Sequence, residues 1–146
     1  MARNEKIFTS EFPKSFKALG KPFFYWKIRD DGGINPFDAF AVVDGKPIAI
    51  EYKITKLITK INMSALFKNR DHQIEALMKW QESGGVSMVI INWFIPRKQN
   101  RCFYATPEYC LQLINRGTIL IDEFISKTKE FERVKDITNI WYWNLK

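Results

Sequence analysis

Residues 36–53 read Pro-Phe-Asp-Ala-Phe-Ala-Val-Val-Asp-Gly-Lys-Pro-Ile-Ala-Ile-Glu-Tyr-Lys, and the fold turns on them. Two strand-forming runs, Pro36 to Val43 and Pro47 to Ile54, flank Asp44-Gly45. That dipeptide accepts the left-handed backbone of a two-residue hairpin turn, so the runs should pair antiparallel. Counting out from the turn, Asp38 falls opposite about residue 51. Glu51 and Lys53 are two apart on one strand and project from the same face. Ile48-Ala49-Ile50 gives that strand a buried character, yet it runs on into Glu51-Tyr52-Lys53. A buried strand ending in two charges needs a reason. Asp38 and Glu51 as cross-strand neighbours, roughly 5 Å apart, would repel each other. A divalent cation between them offsets the repulsion. Two carboxylates suit Mg²⁺, which takes oxygen ligands and keeps several waters, and Mn²⁺ can substitute for it. The backbone carbonyl of Tyr52 is a further candidate ligand. Lys53 would lie beside a metal-bound water, where it can orient that water or neutralise charge developing on a phosphate. The competing structural reading is a surface ladder of ion pairs, against which the apolar run at Ile48–Ile50 speaks.

Working outward, Phe12, Phe16 and Leu19 make an apolar stripe at helical spacing, predicting a helix from Ser10 to Leu19 with Ser10 as its cap. Phe23 to Arg29 reads as a strand whose aromatics pack in the core, followed by a turn at Asp30–Gly33. Thr55 to Asn69 reads as an irregular basic loop. Asp71 to about Ser83 is a helix with Ile74, Leu77 and Met78 on one side, stopped by Gly84-Gly85. Val86 to Phe94 is a buried strand, Pro96 to Arg101 a basic turn, and Cys102 to Ala105 a further strand. Thr106-Pro107-Glu108 starts a helix that ends at Gly117. Lys127 to Lys135 reads as a charged helix or loop, and Ile140 to Trp143 as an edge strand or a packing anchor. Strands followed by helical cover indicate an α/β or α+β sheet domain.

Composition narrows the function. The 146 residues suit one domain, 1–146. One histidine and two cysteines leave no room for a cysteine-rich zinc site, a disulfide framework or most histidine–metal hydrolases. No apolar run approaches the roughly 20 residues of a membrane span. The N-terminal residues carry no apolar leader segment. The expectation is a cytoplasmic protein with no membrane partner. A net charge of +7 favours a polyanionic partner, with nucleic acid first. Lys56, Lys60, Lys68 and Arg70 directly follow the acidic pair, where they would track a DNA backbone.

Asp38 followed by Glu51-x-Lys53 resembles the PD-(D/E)xK nuclease superfamily. His72-Gln73-Ile74-Glu75-Ala76-Leu77, then Gly84-Gly85-Val86 and an apolar strand, is similar to the RecU-type Holliday junction resolvases over roughly residues 36–94. The resemblance implies a restriction-endonuclease-like α/β core, a central mixed β-sheet flanked by helices. It implies Mg²⁺-dependent cleavage of four-way DNA junctions by a homodimer. Asp38 and Glu51 would be the metal ligands and Lys53 the catalytic lysine. Gln73 would be a helix-borne polar residue near the site, with His72 contacting phosphate and Glu11 as an outer carboxylate. The chain departs from the family in having no segment with room for its protruding stalk, which suits a compact resolvase on the same fold. Two alternatives stay open: a restriction-like or repair nuclease acting on other DNA, and a non-catalytic basic DNA-binding module.

Overall fold

The Asp44-Gly45 hairpin forms as its sequence requires. β2 (Ala39–Val43) pairs antiparallel with β3 (Lys46–Thr55), with Ala39 opposite Ile50 and Val43 opposite Lys46. Asp44 and Gly45 have φ of 51° and 78°, the positive pair that a tight hairpin turn demands. The structure is a computed structural model that describes residues 3–29, 35–67 and 71–146. β1 (Phe23–Lys27) adds antiparallel along the outer side of β2. After β3 the chain forms a short strand β4 (Lys60–Asn62) and the helices α3 (Met63–Leu66) and α4 (Asp71–Glu82). It then returns as β5 (Val86–Ile95), parallel to β3. Gly85 lies against the Trp80 indole, where a Cβ would overlap the ring, so the step from α4 into β5 needs a glycine. β6 (Gln99–Ala105), β8 (Lys129–Lys135) and β9 (Trp141–Asn144) extend the sheet antiparallel. The strand order is β1-β2-β3-β5-β6-β8-β9.

Helices cover both faces. On one face, α1 (Arg3–Glu11) and α2 (Lys14–Ala18) lay Phe8, Phe12 and Phe16 on Ile50, Tyr52, Ile90, Phe131 and Trp143. On the other lie α3, α4, α5 (Pro107–Arg116) and α6 (Ile121–Lys127). A small ribbon of β4 with β7 (Thr118–Leu120) joins them there. The core on this side includes Ala49, Val89, Ile91, Trp93 and Phe103 from the sheet, with Leu77, Leu113 and Phe124 from the helices. Period-two alternation along β3 sends Ile50 and Tyr52 to the α1 face, and Ala49, Glu51 and Lys53 to the α4 face. The result is the expected class: a central mixed sheet flanked by helices. Its order is helix, antiparallel three-strand meander, helix and parallel strand.

Several local expectations are corrected. The first helix starts at Arg3, and Ser10 is no cap; its Oγ donates to the Ile7 carbonyl at 3.0 Å inside the last turn of α1. Phe8 extends the apolar stripe one turn back, and the backbone at Pro13, which has no N–H to give, separates α1 from α2. β1 is an edge strand, so Phe23, Phe24 and Trp26 stay 42%, 52% and 58% exposed instead of joining the core. The stretch 55–69 holds β4 and α3 instead of an irregular loop, because the Asn62 side chain accepts from Ala65 N and caps a short helix. Most of the charged stretch 127–135 forms strand β8, stabilised by pairing with β6 and by burial of Phe131. Trp143 on the edge strand β9 is buried and anchors the tail, whereas Trp141 is exposed. The turn expected at Asp30–Gly33 lies outside the described residues. The Thr106 cap is as expected, its Oγ1 accepting from Tyr109 N at 3.2 Å.

Candidate active site

Asp38 stands at the entry to β2, held by backbone bonds on both sides. Its N–H donates to the Ile50 carbonyl at 3.1 Å, and its carbonyl accepts from Ile28 N at 2.8 Å. β2 thus places Asp38 across from Glu51. Its Oδ2 accepts from the Tyr52 amide at 2.9 Å. Glu51 is 1% exposed. Its Oε1 lies 3.4 Å from Lys53 Nζ, and its Oε2 is buried without a partner among the described residues. Lys53 Nζ donates to Gln73 Oε1 at 3.0 Å and sits 4.7 Å from the centre of the Phe67 ring. Gln73 projects from the first turn of α4. Four of the expected residues, Asp38, Glu51, Lys53 and Gln73, therefore meet on one face of the sheet.

The electrostatics follow from burial. Desolvation, and then the Asp38 charge, push the Glu51 carboxyl well above the usual carboxylate range; Lys53 pulls the other way and does not win. The ion-pair distance to Lys53 alone would suggest a stabilised anion. Burial is the stronger influence, because Oε2 has no donor and solvent is shut out. A buried carboxylate oxygen without a partner is costly. The oxygen-only donor set, its two acids side by side, fits a hard divalent cation. Among the described residues no group of three or more His, Cys, Asp or Glu comes together, so the protein would supply two carboxylates and water the rest, as Mg²⁺ prefers.

The other expected residues divide. Glu11 does not join the cluster: α1 packs on the Tyr52 face of the sheet, opposite Glu51, and Glu11 makes a two-pronged pair with Arg133 at 2.6 and 3.2 Å. The Tyr52 side chain also points to that face, its hydroxyl 3.0 Å from that of Tyr25. The part of Tyr52 seen bonding to the cluster is its amide, through Asp38. Lys56 and Lys60 are exposed just beyond β3. His72 lies beside Gln73 with its Nε2 buried and unpartnered among the described residues. Lys68 and Arg70 lie outside the described residues. Two contributors escape sequence reading. The Tyr52 N–H role follows from where β2 stops, which the register of Asp38 against Glu51 could have revealed. Phe67 under the Lys53 ammonium has no local signal.

No protein-family model matches the chain, and no curated protein does. Among solved structures the chain is similar to the 1.6 Å structure of Archaeoglobus fulgidus Hjc, a Holliday junction resolvase from an archaeal hyperthermophile. The two are 23% identical, the match covers 70% of this chain and 74% of that one, and the TM-score is 0.41.

Proposed function

We propose that the chain is a metal-dependent endodeoxyribonuclease that cuts four-way DNA junctions as a homodimer. The observation that carries the reading is the buried, unpartnered Glu51 Oε2 beside Asp38, with the Lys53 ammonium held at hand. Asp38 and Glu51 would hold Mg²⁺, or Mn²⁺ in its place, with the Tyr52 carbonyl as a further oxygen. When bound, that ion lowers the pKa of a water and neutralises charge on the scissile phosphate. The chain's own groups do the rest. The Tyr52 amide fixes one oxygen of Asp38. Lys53 has three donors. Gln73 takes one and the Glu51 carboxylate lies 3.4 Å away as an ion-pair partner, which leaves a donor to orient the attacking water or meet a phosphate oxygen. Gln73 and Phe67 keep that ammonium in place. Lys56, Lys60, Lys68, Arg70 and His72 are assigned to the DNA backbone, consistent with a net charge of +7. A four-way junction has approximate two-fold symmetry and needs two matched nicks, which a C₂ dimer supplies.

The test is a cleavage assay on a four-way junction beside a linear duplex of the same sequence. Scission of the junction is expected in Mg²⁺ and Mn²⁺ and none in EDTA. Undiminished scission in EDTA would refute the metal assignment. Equal cutting of both DNAs would keep the nuclease and remove the junction preference.

A further inference from the structure

β1 is an edge strand that leaves large aromatic rings in water. Phe24 and Trp26 are more than half exposed, and their rings are parallel to within 5° with centroids 6.3 Å apart. Phe40 lies alongside, its centroid 6.2 Å from that of Phe24. The ladder places this group next to the carboxylates. Trp26 pairs with Phe40 and Phe40 with Ala49, and two residues on along the same face, just past the last pair of the ladder, stand Asp38 and Glu51. From strand geometry the Trp26 and Glu51 Cα atoms are about 12 Å apart. A base within a few nucleotides of a phosphate at the carboxylates would reach the rings. Charge favours a nucleic acid there over a second copy of the chain. Lys21 and Lys27 flank the aromatic run, and Arg29 follows ahead of Asp30 and Asp31. Protein interface cores are depleted in lysine, whereas aromatics bracketed by cations are what a single strand needs, faces for its bases and charges for its backbone.

We propose that Phe24 and Trp26 form a stacking platform for unpaired bases of the DNA strand that passes through the carboxylate site. The proposal rests on the nuclease reading and names its substrate more closely: DNA with bases unstacked beside the cut.

The test is equilibrium binding in EDTA, where no cleavage is expected, of a fluorescein-labelled duplex and of the same duplex with a short run of unpaired thymines. Wild type should favour the DNA with unpaired bases. The double variant Phe24→Ala/Trp26→Ala should lose at least about fivefold on that DNA, the lower end of what one stacked base contributes, while its duplex affinity stays near wild type. Trp26→Tyr, which keeps a ring, should retain most of the preference, and Trp26→Thr, which suits a strand, should lose part of it should the double variant fail to fold. An equal loss on both DNAs overturns the platform, as does no loss on either. So does sedimentation showing that the double variant turns a dimer into a monomer, because a second copy would then cover the rings. Cleavage by wild type without the binding preference overturns the platform alone. The preference without cleavage in Mg²⁺ supports the platform and refutes the nuclease reading beneath it.

Discussion

Glu51 is the residue on which the account turns, and its burial has a measurable consequence apart from catalysis. Its carboxyl titrates higher in the fold than in the unfolded chain. The stability linked to it is therefore complete below the usual glutamate range and is lost as pH rises through the folded value. Glu51→Gln removes that loss. In EDTA its melting temperature should exceed wild type at pH 8 by a few degrees, at about 3 °C per kcal/mol for a chain of this size, and the gap should close toward pH 4. A variant less stable than wild type at pH 8 would contradict the burial argument. Asp38, Glu51 and Lys53 were legible because a two-residue turn fixes register and strand alternation fixes face. The Tyr52 amide and Phe67 were not, because one depends on where a neighbouring strand ends and the other on a helix folding back. Glu11 failed for a related reason: helical spacing shows which residues of α1 face inward, but not which side of the sheet they meet.

At the scale of elements, the long-range ion pair between Arg133 on β8 and Glu11 on α1 joins the tail to the first helix. Glu11 is 11% exposed at its side chain and Arg133 28%, and the guanidinium also stacks 4.3 Å over the Trp141 ring. Arg133→Ala strands a nearly buried carboxylate and removes that stacking. A fully buried pair costs 3–5 kcal/mol to break, and partial exposure lowers the expected loss to roughly 2–3 kcal/mol. Urea unfolding should show a lower midpoint at unchanged slope. An unchanged midpoint would mean that the clasp contributes nothing. The sequence of β8, Lys129-Glu-Phe-Glu-Arg-Val-Lys135, hides its strand character because only Phe131 is deeply buried. Its ladder with β6 and the clasp to α1 are both long-range, and local pattern carries neither. The α4 and α5 boundaries, by contrast, were legible from caps and glycines that act within a few residues.

Across the whole molecule, the sheet separates two cores and keeps the carboxylates on the α4 face. β3, the strand that carries Glu51 and Lys53, is antiparallel to β2 on one side and parallel to β5 on the other. Central placement in the sheet makes Glu51 buried, and the end of β2 opens the ladder where Asp38 can turn toward it. The same placement leaves β1 at an edge with its aromatic rings in water. Among the described residues no helix is long and apolar enough to cross a membrane. The measurement that bears most directly on the account is the single-turnover rate of four-way junction scission in Mg²⁺ by wild type and by Glu51→Gln, both checked as folded by circular dichroism. A cut by wild type and a loss of at least about a hundredfold in the variant, the scale of removing one electrostatic contributor to a phosphate transition state, is the predicted result. Equal rates in the two proteins would contradict it.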